Sequence, residues 1–234
     1  MRAVGTALAL GGVAVWTAPA LAPVLPAVAR RLRIQTRLNP PVGIALTFDD
    51  GPHPEGTPAV LEILDRAGAR ATFFLLGEQV ERWPAVAAGI VQQGHEVACH
   101  GYRHILQLRR TPAALRDDCR RAVDLLGEVT GSAPRYYRPP YGVFSTAGLS
   151  TARREGCQPV LWSRWAADWR SRATPAEIAR KASVDLCAGD IVLLHDSDAY
   201  SSPASWRRMV SALPAIIEAA GLTGEPLVAV SQAR

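Results

Sequence analysis

After Pro40-Pro41, short apolar runs alternate with longer stretches of helical periodicity, and this rhythm restricts the fold more than any other feature of the chain. The apolar runs cover residues 43–48, 71–76, 96–99, 136–138, 159–162, 191–195 and 227–230. The periodic stretches cover 57–67, 78–92, 112–129, 145–154, 175–185 and 206–220. The runs "GIALTF" and "DIVLLH" are continuous and lack the polar alternation of a half-exposed strand. They predict strands covered on both faces, as in parallel sheets flanked by helices. The alternation therefore predicts a parallel α/β architecture, either a barrel or a doubly wound sheet. Thr111-Pro112 and Thr174-Pro175 both read as helix starts, with threonine at the N-cap and proline in the first turn.

At 234 residues the chain is long enough for one domain with a well-buried core. Its net charge of +5 does not describe the folded part. Arg2, Arg30, Arg31, Arg33 and Arg37 all precede the first acid, Asp49, which leaves 21 basic against 21 acidic residues from position 38 onward. A domain that neutral lacks the basic stripe of a nucleic-acid binder. Residues 3–29 carry no charge. They read as a signal peptide, with Ala27-Val28-Ala29 as a small-x-small cleavage site, or as a membrane anchor interrupted by Pro19, Pro23 and Pro26. The expected organisation is thus an apolar export or anchoring segment at 1–29, a linker at 30–41 and a catalytic domain at 42–234. Localisation would be extracellular or in the cell envelope, with membrane association through the N-terminal segment. Cys99, Cys119, Cys157 and Cys187 are too widely spaced for a CxxC metal site, and both disulfides and free thiols are compatible with them.

The chemistry-bearing residues stand where the strands end. Asp49 and Asp50 follow the first run, His100 and His104 the third, and Arg138 the fourth. Asp168 and Trp169 follow the fifth, and His195 closes the sixth. In a parallel α/β fold the C-terminal strand ends share one rim, so five strands deliver polar groups to one face. Each group alone has a structural explanation: adjacent acids can cap a turn, and paired histidines usually pack. Five such accidents on one rim are harder to accept. One carboxylate and two imidazoles form a facial metal site with positions left open. The second carboxylate can take a proton from a metal-held water, and a histidine opposite can protonate a leaving group. An arginine beside the base favours its ionised form, and an acid beside the histidine favours imidazolium. The set describes metal-assisted hydrolysis of an ester or amide.

"TFDDGP" at 47–52, "HGYRH" at 100–104, "RPPYG" at 138–142, "DW" at 168–169 and "IVLLH" at 191–195 resemble, in order, the five motifs of the polysaccharide deacetylases, carbohydrate esterase family 4, with the NodB-homology domain. The resemblance implies a distorted (β/α) barrel of about seven parallel strands. It implies removal of acetyl groups from a polysaccharide with a divalent metal, zinc foremost, with cobalt or another divalent ion as alternatives. By position, Asp49 would be the general base, and Asp50, His100 and His104 the metal ligands. Arg138 would hold Asp49, and the backbone N–H of Tyr141 would help stabilise the oxyanion. Asp168 would tune His195, the general acid. Trp169 and Leu193 would wall the acetyl pocket, with Pro139 and Tyr141 also meeting substrate. The expected partner is an N-acetylated glycan such as peptidoglycan or a chitin-like polymer. An O-acetyl esterase on acetylated xylan and a non-catalytic glycan-binding protein are the alternatives.

Two positions depart from the pattern. Gly101 stands where the family usually has a serine or threonine, which predicts weaker support for the ligand loop. Trp165 stands where an additional aspartate is common, and its ring would either stack on a sugar face or pack in the core. His53 and His95 read as structural.

Overall fold

A computed structural model describes residues 16–232, so residues 1–15, with the first part of the uncharged stretch, lie outside the described region. Seven parallel strands form one sheet: β1 (Ala45–Asp49), β2 (Ala71–Leu75), β3 (Glu96–Cys99), β4 (Tyr136–Tyr137), β5 (Gln158–Pro159), β6 (Arg164–Trp165) and β7 (Ile191–His195). Their spatial order is β5-β4-β3-β2-β1-β7-β6. The sheet ends, β5 and β6, are consecutive in the chain and do not pair with each other. Residues 160–163 cross the gap between them, and the segment before β1 fills the seam. Gln35 N–H donates to Pro159 O, Leu161 N–H to Gln35 O, and Leu38 N–H to Gly189 O. The result is the distorted (β/α) barrel expected. Ile34 and Leu38, inside the stretch read as a linker, are buried, and Arg37 is ion-paired with buried Asp190.

The helices are α1 (Pro26–Arg31), α2 (Gly56–Arg66), α3 (Gly77–Arg82), α4 (Pro84–Gln92), α5 (Pro112–Thr130), α6 (Thr146–Arg154), α7 (Pro175–Ser183) and α8 (Ser205–Leu222). The Ala27–Ala29 cleavage candidate lies within α1. Among the described residues no helix is long and apolar enough to cross a membrane. Thr111 and Thr174 cap α5 and α7 as expected, Thr174 in a full capping box with Glu177. The helix expected at 78–92 is two helices. Trp83 adopts φ −133° and ψ 53° between them, because the following Pro84 excludes the helical conformation at that position.

One expected strand is replaced. The run at 227–230 contributes a single bridge, Leu227 to Ile44. β2 already occupies that edge of β1 from Leu46 onward, so only Ile44 is free to pair. The seventh strand is β6 instead, two residues whose partner is β7.

Strand parity sorts the residues. Leu46, Phe48 and Phe73 face the helices in the main apolar layer, where Phe48 and Phe73 stack at 5.0 Å. Ala45, Phe74, Ala98 and Ile191 form a smaller interior cluster with Leu38, Val160 and Val230. Thr47 and Asp49 share the parity of Ala45, so they continue this interior column to the C-terminal rim.

Candidate active site

Asp49 closes β1 on the interior face. Asp50 would by alternation point to the helix layer. It does not, because its backbone takes φ 75°, the left-handed region, and turns its carboxylate back over the rim. Gly51 makes the bend possible: a Cβ there would lie 2.7 and 2.8 Å from the Asp196 carboxylate oxygens. The bend therefore begins at Asp50, one residue before the glycine.

Arg138, at the end of β4, is fully buried. Its NH1 donates to Asp49 Oδ1 at 2.6 Å and to Thr47 Oγ1 at 2.9 Å, and its NH2 donates to Leu161 O at 3.0 Å. The guanidinium lies over the Phe74 ring at 3.9 Å. Burial pulls the Arg138 pKa down, and the facing Asp49 carboxylate opposes this.

Asp50 Oδ1 lies 3.4 Å from His100 Nε2 and 3.4 Å from His104 Nε2. Ligands at 2.0–2.2 Å around a tetrahedral ion are about 3.4 Å apart, so these separations fit one divalent cation. Asp50 Oδ1 is buried without a hydrogen-bond partner, as an oxygen reserved for an ion would be. Burial raises the Asp50 pKa, but the facing imidazoles, His100 first and then His195 and His104, outweigh it and hold it at about 2. Burial, only partly offset by Asp50, pushes His104 down to about 4, so its imidazole is neutral and able to ligate.

The two histidines are oriented differently. His100 Nδ1 meets Arg138 O at 2.8 Å, which leaves Nε2 free to face the cleft. His104 Nδ1 has no hydrogen-bond partner. Instead, Tyr200 stacks on the ring at 4.4 Å and 14°, and Tyr141 meets it edge-on at 4.4 Å. The Tyr200 hydroxyl bonds Glu78 and, at 3.2 Å, accepts from Gln79. The expected weakness at Gly101 is offset by Asp118 of α5. Its carboxylate accepts from Tyr102 N–H at 2.9 Å and Arg103 N–H at 3.2 Å, bracing the loop from beneath. Gly101 itself sits at φ 94°, where a side chain is strained.

Across the cleft, Asp168 accepts from His195 N–H at 2.7 Å and pairs with His195 Nδ1 at 2.9 Å. Burial opposes protonation of His195, but the Asp168 charge and hydrogen bond, with Asp50 and Asp49 beyond, raise its pKa to about 10. The imidazole is therefore a proton donor at neutral pH, and a bound dication would oppose this elevation.

Asp49, Asp50, His100, His104, Tyr141, Trp169, Leu193 and His195 line one cleft of about 280 Å³. Buried Arg138 and Asp168 stand behind it. Pro139 is buried before the turn that presents Tyr141 and does not line the cleft. Trp165 does, at 53 % exposure, so its ring is not a core residue. His53 accepts from the Glu55 and Gly56 N–H groups, and buried His95 accepts from Ala71 N–H, so both serve the local backbone. All four cysteines are free thiols. Sequence reasoning gave no role to Tyr200, Asp118 or Trp162, the last of which also lines the cleft, and none of the three carried a local signal.

A seven-stranded barrel bearing an Asp-His-His triad on its C-terminal rim matches proteins already known. The polysaccharide deacetylase family profile covers residues 38–160. A peptidoglycan-N-acetylglucosamine deacetylase of Bacillus cereus is 38 % identical over 155 residues, 65 % of this chain and 72 % of that protein. A chitooligosaccharide deacetylase of a Bradyrhizobium species is 37 % identical over 154 residues, 65 % of this chain and 70 % of that one. The crystal structure of a peptidoglycan N-acetylglucosamine deacetylase in complex with an N-oxidanyl-benzamide superposes with a TM-score of 0.78 at 28 % identity, covering 86 % of this chain and 92 % of that one. The chain belongs to the polysaccharide deacetylase family.

Proposed function

We propose that this protein is a metal-dependent hydrolase that removes N-acetyl groups from N-acetylglucosamine residues of an extracellular or envelope glycan, peptidoglycan or a chitin-like polymer. The observation that carries this reading is the division of one cleft into three roles. A carboxylate locked to a buried arginine, a three-ligand triad and a protonated histidine face the same space. The peptidoglycan and chitooligosaccharide relatives support the substrate class.

Asp50, His100 and His104 would hold the ion, which we take to be zinc from the nitrogen-and-oxygen donor set and the 3.4 Å separations. A bound divalent ion supplies Lewis acidity, making a water nucleophilic and polarising the acetyl carbonyl. Asp49 Oδ1 is engaged by Arg138, so Oδ2 takes the proton of the attacking water. The Tyr141 N–H would donate to the developing oxyanion. His195 Nδ1 is tied to Asp168, so the Nε2 proton goes to the departing nitrogen. Water and amide are converted to acetate and a free amine on the sugar. Leu193 and Trp169 wall the site that receives the acetyl methyl, and Pro139 shapes the turn that presents Tyr141.

The test is acetate release from N-acetylglucosamine oligomers, peptidoglycan and acetylxylan, with and without chelator. Release from the first two, lost with chelator and restored by zinc, is the expected result. Undiminished release by Asp49→Asn, or release from acetylxylan only, refutes the proposal.

A further inference from the structure

We infer that Trp165 is a stacking platform for the sugar next to the reacting one, so that the cleft favours a chain of pyranose rings over a single acetylated sugar. This rests on the function proposed above and names how its substrate is held.

Besides Trp162, the cleft has two aromatic groups. Tyr141 and Tyr200 flank His104 on the metal side. On the acid side, Trp169 meets His195 edge-on, with ring centroids 5.4 Å apart at 75°. Trp165 stands beyond it, its centroid 5.6 Å from that of Trp169 and tilted by 48°. The chemistry assigns the sugar to the second group. When an N-acetyl group is hydrolysed, acetate leaves and the nitrogen stays on the sugar, taking its proton from His195. The sugar must therefore lie on the His195 side, which Trp169 and then Trp165 line.

Strand register places Trp165 firmly. It pairs with Leu193 across β6 and β7, one strand away from the wall of the acetyl site. The step from Trp169 to Trp165 is comparable to the width of one pyranose ring. Trp169 thus meets the reacting residue, and Trp165 underlies its neighbour. The 48° tilt keeps the two indoles from covering each other, and Trp165 remains 53 % exposed. A large aromatic surface left open on the rim of a cleft is suited to the C–H face of a sugar. Because the Trp165 indole presents a broad apolar face, the contact is apolar and tolerant of hydroxyl configuration.

The test compares wild type, Trp165→Ala and Trp165→Phe on N-acetylglucosamine, its oligomers up to the pentamer, and 4-nitrophenyl acetate. We expect Trp165→Ala to raise KM for the pentamer by about tenfold, with kcat changed by less than about threefold. The monosaccharide and the small ester should be processed as by wild type, and Trp165→Phe should recover most of the loss. An unchanged pentamer KM overturns the inference, and so does an equal loss on all three substrate types, which would mark a structural role. If wild type cleaves acetylxylan oligomers but no N-acetylglucosamine chain, the proposed function fails. The xylan length series then judges Trp165 by the same criteria. Calorimetric binding of the oligomers to Asp49→Asn, with and without Trp165→Ala, gives the same comparison without turnover. Equal affinity in the two would likewise overturn the platform.

Discussion

Replacing Arg138 by methionine tests whether the base and its arginine are one unit. The substitution keeps an unbranched apolar side chain but removes a guanidinium that is fully buried and lies over Phe74. Asp49, 3 % exposed, then loses its ion-pair partner at 2.6 Å. Breaking a buried pair from one side costs about 3–5 kcal/mol, because an uncompensated charge remains. Asp49→Asn leaves the guanidinium unneutralised and should cost about 2–5 kcal/mol. The double variant has no charge at this spot. What remains is the loss of two donors, to Thr47 Oγ1 and Leu161 O, each worth about 1–3 kcal/mol. The double loss should therefore fall short of the summed single losses by about 2 kcal/mol or more. Urea unfolding of chelator-treated protein, followed by circular dichroism, reads this without a contribution from metal binding. Single losses that add to within about 0.5 kcal/mol refute the coupling. Acetate release should be abolished in Asp49→Asn and in the double variant alike, since restoring charge balance does not restore a base.

Three further outcomes are expected. Asp168→Asn removes the carboxylate that, against burial, holds His195 at about 10. A raised folded-state pKa contributes stability that is complete below the ordinary histidine value near 6.5 and is lost as pH rises through about 10. The stability gap between metal-free wild type and Asp168→Asn should therefore be widest near pH 6 and close toward pH 10, and a constant gap refutes the assignment. Gly51→Ala places a methyl group within 2.7 Å of the Asp196 carboxylate, so the loop carrying Asp50 must move. We expect a stability loss of about 1–3 kcal/mol by urea titration, with weakened zinc affinity by calorimetry. Tyr200→Ala removes the ring stacked on His104 and should weaken zinc binding by about tenfold, whereas Tyr200→Phe keeps the ring and most of the affinity. Wild-type affinity in Tyr200→Ala would show that the ring does not position the ligand.

The legible parts of the fold were those whose signal is local. β1 and β7 are buried along almost their whole length, and a strand covered on both faces must be a continuous apolar run. The caps at Thr111 and Thr174 act within three residues and were equally plain. β6 escaped notice because two residues carry no periodicity, and its pairing is set by β7, already in place beside it. Leu227 looked like a strand because burial and β-propensity are the same in a one-residue bridge. Asp118 lies 16 and 15 residues from the amides it braces, within an otherwise ordinary helix, so nothing nearby marks it.

Alone, then, the sequence determined the parallel α/β class, the residues gathered at the strand ends and the chemistry those residue types can perform together. Each of these follows from side-chain chemistry and from burial patterns of two to four residues. Only the tertiary structure decided how the groups are aimed. The adjacent Asp49 and Asp50 face one cleft because φ at Asp50 is positive and Asp196 crowds Gly51 from across the rim. His104 is oriented by a tyrosine that arrives 96 positions later, and Trp165 is left open to solvent by its register with Leu193. Orientation depends on contacts between distant segments, and such contacts exist only once the barrel has brought its strand ends together.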